Sequence, residues 1–322
     1  MPQQKTNPIP TMPDLSGKVI LITGGTAGLG AASAIALARR NPARIYIAGR
    51  RANAAEAVVQ QARHDASSLP TPPPTTDIQF LPCDLADLSS VRAAADTILT
   101  AESRLDILMA NAGVAAVPSA LTKDGYEVQL GTNHLGHALL IRKLLPLLAK
   151  TSTPDSPARI VCTTSDGYRG AVRGIPLEDL GKRKTTPPAD DWLGVARWVR
   201  YAQSKLANVV YARELARRYP GVVSVSVSPG IVSTGMVAGM RTCDRVGTRL
   251  LALVSGGMVE PEEGAWNQIW AATVDVGQLT NGGMYTPVGV LCEGGNLSAQ
   301  ARDEGLGGRL WEWTEGELKG WL

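Results

Sequence analysis

Tyr201-Ala-Gln-Ser-Lys205 sets a phenol and an ammonium four residues apart, which on a helix puts both on one face. A free phenol titrates near pH ~10, and a cation within reach favours its anion and lowers that value toward neutrality. Such a pair can give a proton to a reacting oxygen or take one from it. The same spacing also describes an exposed helix pair worth roughly 0.3 kcal/mol, so the two residues need company before they read as a site.

Company comes from the other end of the chain. Thr23-Gly-Gly-Thr-Ala-Gly-Leu-Gly30 follows an apolar run directly. Glycines there permit positive φ and a close backbone approach to a pyrophosphate, while a helix starting inside the segment offers free N–H groups and a partial positive charge. The spacing Gly24, Gly28, Gly30 departs from the G-x-G-x-x-G dinucleotide fingerprint. Its position between a strand and a helix still reads as a nucleotide-binding turn. An NAD-binding chain usually has Asp or Glu at the end of the second strand to bond the ribose 2′-hydroxyl. Here stand Gly49, Arg50 and Arg51, and a guanidinium fork matches a 2′-phosphate, so the expected cofactor is NADP(H), with Arg50 the better placed arginine.

The elements that must position these groups follow a rhythm of short β-branched run, turn and longer helical stretch. Strands are expected at Lys18 to Ile22, Arg44 to Ala48, Ile78 to Leu81, Ile107 to Ala110, Arg159 to Thr164 and Val222 to Val227. Helices are expected from Gly28 to Arg40, Ala52 to Arg63 and through Tyr201 to about Tyr219. Strands that are continuously apolar and alternate with helices indicate a parallel sheet covered on both faces, a doubly wound Rossmann-type α/β domain. We read residues 1–14 as a flexible polar leader and 15–322 as one domain, with substrate-side insertions near 166–200 and 232–260. Ser67 to Thr76, with four Pro, reads as an exposed loop, since Pro removes donors and fixes φ.

Composition narrows the function classes. The 322 residues are 44% hydrophobic and 19% charged, which excludes a disordered chain. A net charge of only +3 gives no electrostatic case for nucleic acid. Four scattered Cys without a CxxC pair and three His make a metal site unexpected and suit a reducing compartment. No apolar run reaches the roughly 18 residues of a membrane span, so a cytoplasmic protein is the default expectation.

With these motifs in place, the chain resembles a short-chain dehydrogenase/reductase from about Lys18 to Pro287. The family's TGxxxGxG is met by Thr23 to Gly30, so Thr23, Gly24, Thr26, Gly28, Leu29 and Gly30 are implied to hold cofactor. The resemblance adds Asp84 and Leu85 at the adenine end, and Asn111, Ala112 and Gly113 from an NNAG motif whose first Asn is Ala110 here. Pro229, Gly230, Val232 and Thr234 match the PG motif that receives the nicotinamide. The implied catalytic tetrad is Asn133, Ser165, Tyr201 and Lys205, with Thr164 as the register alternative to the serine. Tyr201 would exchange the proton, Ser165 would donate to the developing alkoxide, and Lys205 would lower the phenol pKa and bond the nicotinamide ribose. Asn133 would anchor a water joining Lys205 to solvent. Asn133-His-Leu-Gly-His137 and Gln203 to Asn208 are similar to the retinol-dehydrogenase-like branch, and Gly283 to Gly289 with Leu310 to Thr314 to fungal reductases of secondary metabolism.

The leading expectation is an NADPH-dependent reductase of a bulky, fairly apolar ketone or aldehyde, with a small-molecule carbonyl or alcohol as substrate. The alternatives are an isomerase, dehydratase or cyclase using the same acid–base pair, or a non-catalytic NADP(H)-binding protein. Tyr168, Trp192, Trp198 and the segment Met236 to Met258 are candidate pocket walls, the last able equally to pack on the core. His134 and His137 read as packing or interface residues in preference to a proton relay. The resemblance allows a homodimer or homotetramer through the helices carrying Asn133 and Tyr201. Arg142, Lys143, Arg213, Arg217 and Arg218 would then give that surface, or a merely solvated one, a basic character.

Overall fold

Five consecutive residues, Val19–Thr23, form β1, and every one is buried. Their side chains alternate across the strand, Val19 and Leu21 entering one core and Ile20 and Ile22 the other. Such a strand needs cover on both faces, and helices supply it. The computed structural model describes residues 6–67, 76–177, 195–233 and 257–322.

Parallel to β1 run β2 (Arg44–Gly49), β3 (Asp77–Pro82), β4 (Ile107–Ala110), β5 (Arg159–Thr163), β6 (Val223–Val227) and β7 (Met284–Thr286). The order across the sheet is β3-β2-β1-β4-β5-β6-β7-β8. The expected all-parallel sheet has one exception, the edge strand β8 (Val290–Leu291), which pairs antiparallel with β7. Two residues are too few to leave a pattern in a sequence. Between β1 and β4 the order reverses direction, and the crevice beyond their C-terminal ends is where this architecture holds ligands.

One face carries α1 (Gly28–Ala38), α2 (Ala52–Ser67) and, in chain order after the elements below, a helix at Trp266–Thr273. The other carries α3 (Leu88–Ala101), the single turn α4 (Val128–Leu130), α5 (Gly136–Thr151) and α6 (Val195–Arg218). Trp266–Thr273 is then α7, and Glu304–Leu318 is α8. Between α4 and α5 lies a π-helical turn, Gly131–Leu135. Helix α6 begins six residues before Tyr201, inside the stretch expected to be a substrate-side insertion. Its first turns hide their apolar period because Arg197 and Arg200 are buried, the latter paired with Glu127 at 3.4 Å and donating to Ser119 Oγ at 2.8 Å. Most of the proline loop, residues 68–75, lies outside the described residues. In the leader, Met12 is buried and Arg40 donates to the carbonyls of Ile9 (2.6 Å) and Pro10 (3.1 Å), so the chain packs against the body from Ile9 onward.

Helix α8 lies on α5 and α6. Trp311 stacks on Tyr211 at 5.3 Å, Thr314 meets His134 at 2.9 Å, and Arg142 donates to both carboxylate oxygens of Glu315 at 2.7 and 2.9 Å. The basic residues named for these helices each have a partner within the chain. Lys143 pairs with Asp96, Arg213 donates to the Ala301 carbonyl, and Arg217 and Arg218 both pair with Glu214. Among the described residues no helix is long and apolar enough to cross a membrane.

Candidate active site

The glycine turn is a cradle of bare backbone. Gly24 and Gly28 have φ of +66° and +53°, which L side chains rarely adopt. A Cβ on Gly30 would lie 2.3 Å from the Gly24 carbonyl oxygen and 2.7 Å from Asn111 Nδ2. Helix α1 begins here without a capping side chain or an acid in its first turn. Its free N–H groups thus face the crevice as an anion would require. Leu29 supplies its carbonyl to Gln268 Nε2 at 3.3 Å, tying the turn to α7.

The end of β2 closes against this turn, because a Cβ on Gly49 would meet Thr26 Oγ1 at 2.9 Å. Arg50 and Arg51 follow, both exposed, and among the described residues neither guanidinium has a partner. Cys83 N donates to the Gly49 carbonyl, which brings Asp84 to the same end of the sheet. The Asp84 carboxylate accepts from Ala86 N at 3.0 Å. Leu85 turns its side chain into the core. A nicotinamide dinucleotide fits these residues: backbone donors at the turn, guanidinium groups beyond β2 that are unengaged among the described residues, and an acid at the end of β3.

Beside β1, the end of β4 is locked by Thr23. Its Oγ1 accepts from Asn111 N (2.9 Å) and Ala112 N (3.0 Å), while Asn111 Nδ2 donates to the Thr23 carbonyl at 2.8 Å. Asn133 lies in the π turn, fully buried, and its amide is saturated. Oδ1 accepts from Val114 N (2.8 Å), and Nδ2 donates to Val114 O and Ser204 Oγ, each at 2.9 Å. A Cβ on Gly113 would come within 3.1 Å of Asn133 Oδ1 and 3.3 Å of Lys205 Nζ, so a side chain there would press on both.

Lys205 is buried and donates from Nζ to the Thr163 carbonyl at 3.1 Å; burial pushes its pKa down to about 8. Ser165 follows β5 and stands close enough to the Tyr201 phenol for its hydroxyl to favour the phenolate. A Cβ on Gly167 would touch both, at 3.3 Å from Ser165 Oγ and 3.4 Å from Tyr201 Cε1. Thr164, the register alternative, is turned away: its hydroxyl donates to the Lys205 carbonyl at 2.8 Å. The expectation that Lys205 pulls the phenol pKa down is not met here. Burial raises it, the Asp166 carboxylate raises it further, and only the Ser165 hydroxyl lowers it. Lys205 Nζ lies 5.9 Å from the phenol ring centre and is turned toward Thr163.

At the PG motif, Gly230 has φ +80° directly after β6. Val232 pairs with Val259 and packs its side chain where a Cβ on Gly264 would be 2.6 Å away, so it faces the body and not the crevice. Thr234, Trp192 and the apolar run Met236 to Leu253 lie outside the described residues. Of the expected pocket walls, Tyr168 is a core residue, 1% exposed, whose hydroxyl accepts from Ser298 N at 3.3 Å. Trp198 does border the site, edge-to-face with Tyr201 at 6.0 Å.

Sequence reasoning missed Gln129 and Asp166. Gln129, fully buried one turn before Asn133, accepts from Ala116 N and donates to the Arg197 carbonyl, each at 2.9 Å. Two amides four residues apart thus clamp one loop to α6, and that spacing was the available signal. Asp166 accepts from Ser228 Oγ at 2.9 Å beside Ser165, and a lone acid in a loop carried no signal.

Comparison with known proteins bears on the whole constellation. A family model described as short chain dehydrogenase matches residues 18–175. The chain is 35% identical over 322 residues to the short-chain dehydrogenase/reductase drtF of Aspergillus calidoustus, covering 96% of each chain. It is 36% identical over 307 residues to mouse retinol dehydrogenase 14, covering 94% of this chain and 86% of that one. Among solved structures, an uncharacterized protein from Mycobacterium paratuberculosis superposes with a TM-score of 0.68 at 30% identity over 97% of both chains. The NADP complex of Pseudomonas aeruginosa RhlG, at 23% identity, covers 86% of this chain and 96% of its own with a TM-score of 0.63, a likeness of fold. A glycine cradle at β1, a clamped loop at β4 and a serine, tyrosine and lysine gathered beyond β5, borne by a sequence this close to its relatives along nearly its full length, make the chain a member of the short-chain dehydrogenase/reductase family, similar to its fungal reductases and retinol dehydrogenases.

Proposed function

We propose that this oxidoreductase is an NADPH-dependent reductase of a bulky, fairly apolar ketone or aldehyde, with Tyr201 as the proton donor. One observation carries the reading: Ser165, Tyr201 and Lys205 converge at the crevice mouth where Gly113 comes within reach of Lys205. When bound, NADPH supplies a hydride to the carbonyl carbon. The chain's residues have the remaining work of neutralising charge on the carbonyl oxygen. Tyr201 holds its proton firmly because burial disfavours the anion, which suits an acid that must be loaded before reduction. Ser165 donates to the same oxygen, a bond that strengthens as negative charge develops. Lys205, anchored on Thr163 O, holds its ammonium beside the phenol where it would bond the nicotinamide ribose, and the phenolate left behind is met by the Ser165 hydroxyl. Asn133 holds the loop at Val114 and the helix at Ser204, setting the distance between nucleotide and phenol.

Arg50, without a side-chain partner among the described residues, supports a 2′-phosphate, and the absence of an acid between Gly49 and Ala52 removes the usual ribose ligand of NAD. Trp198 against Tyr201 and the relatives named retinol dehydrogenase support an apolar substrate. The test is a panel of apolar ketones and aldehydes with NADPH, read by loss of reduced-nicotinamide absorbance. Tyr201→Phe is expected to lose more than about 99% of turnover while still binding NADP⁺, since acid–base groups are worth 10²–10⁴-fold. Near wild-type kcat in that variant refutes the mechanism.

A further inference from the structure

His137 is the second residue of α5 and is 3% exposed. Its ring touches two groups with different requirements. Nδ1 lies 2.9 Å from the Asn133 carbonyl, which can only accept, so Nδ1 carries the hydrogen. Nε2 lies 2.8 Å from Thr23 Oγ1. That oxygen already accepts from two backbone N–H groups, Asn111 and Ala112, so its own hydrogen is free to point at the Nε2 lone pair. The alternative acceptor, Met109 O, is longer at 3.3 Å. The contacts therefore fix one tautomer.

The ring is also held neutral. Burial, with the Lys205 charge adding to it, pushes its pKa down to about 4. A ring that is neutral throughout the working range, and whose Nδ1 hydrogen faces a carbonyl that cannot take it, is no proton relay. Nor is it a subunit-interface residue, because it is buried within its own chain.

The residues at its two ends differ in kind. Thr23 ends β1, begins the glycine turn and fixes the end of β4. Asn133 clamps Val114 and reaches Ser204, the neighbour of Lys205. We propose that His137 is a positioning residue, a neutral strut that ties the strand ends cradling the dinucleotide to the π turn facing Lys205, so that cofactor and acid–base groups keep one spacing. The role in turnover rests on the oxidoreductase reading above; the role in nucleotide binding does not.

Three variants separate the two ends of the strut. His137→Asn places an amide near the Nδ1 position and keeps a donor for the Asn133 carbonyl. His137→Gln reaches the Nε2 position and keeps an acceptor for Thr23. His137→Leu keeps neither. We expect His137→Leu to raise the Kd for NADP⁺, titrated by tryptophan fluorescence, by at least about fivefold, the worth of one hydrogen bond. Its kcat should fall at least about tenfold through misplacement of the reacting groups. His137→Gln should recover NADP⁺ affinity and His137→Asn should recover kcat. Thr23→Val also removes the acceptor of Asn111 N and Ala112 N, so it should weaken NADP⁺ binding in both backgrounds, by a smaller factor in His137→Leu than in the wild type. A merely structural residue would lower Tm and the active fraction but leave the Kd and the kcat per active site unchanged.

Folded His137→Leu, or folded Asn and Gln variants if Leu does not fold, with Kd and kcat both within about twofold of wild type overturns the proposal, being below the worth of one such bond. Tyr201→Phe assayed in parallel separates the failures. If that variant retains turnover, the oxidoreductase mechanism falls and the NADP⁺ Kd alone decides the strut. If it is inactive while the His137 variants match wild type, only the strut falls.

Discussion

Around Tyr201 burial and two neighbours act on one phenol with different signs. Burial and the Asp166 carboxylate raise its pKa, and the Ser165 hydroxyl lowers it. A reduction needs the protonated phenol, so its rate falls as pH rises through that pKa. Asp166→Asn removes a raising influence, and the alkaline limb of the kcat profile should move to lower pH; an unmoved limb would mean that the acid in turnover is another group. At the opposite end of the crevice, Arg50→Ala should raise the KM for NADPH at least about tenfold and leave that for NADH within about twofold, because a guanidinium–phosphate fork is lost in one case only. A wild type that prefers NADH would refute the assignment of Arg50.

The glycine turn and the helix it starts form the element on which the nucleotide site depends. At Gly30 the space for a side chain is filled by the Gly24 carbonyl and the Asn111 amide, itself held on the Thr23 carbonyl. Gly30→Ala must displace backbone and should cost about 1–3 kcal/mol by urea unfolding, with NADP⁺ binding weakened as well. Gly316→Ala is the control: it lies in α8 with nothing within 4 Å of a Cβ, and it should stabilise by up to about 1 kcal/mol. Equal effects at the two positions would contradict the cradle.

Over the whole molecule, α8 closes the outward side of α5 and α6. Trp311 is 7% exposed, stacked on Tyr211 with the guanidinium of Arg218 4.6 Å above its ring. Trp311→Ala should cost about 3–5 kcal/mol, read as a lowered urea midpoint, and an unchanged midpoint would mean that α8 is not docked. A homodimer or homotetramer, which the family resemblance allowed through these helices, would have to use a face that α8 leaves free.

The alternation of apolar strands and helices determined the doubly wound fold, and short motifs marked the glycine turn and the Tyr201–Lys205 pair, to which the family resemblance added Asn133 and Ser165 as candidates. Those features are local: each needs only a few adjacent residues of the right type. What tertiary structure decided are relations between distant segments. Arg200 is an arginine that folding buries, because Glu127 and Ser119 are brought to it from a distant segment. Tyr168 read as a pocket wall until the segment at Ser298 covered it. Lys205 faced Tyr201 by helical spacing, yet a carbonyl at the end of β5 took its hydrogen bond. His137 was one more apolar-face histidine until folding set Thr23 and Asn133 on its two nitrogens. A side chain's type fixes which bonds it can make, but burial fixes its charge and packing chooses its partner, and neither is written in the neighbouring residues.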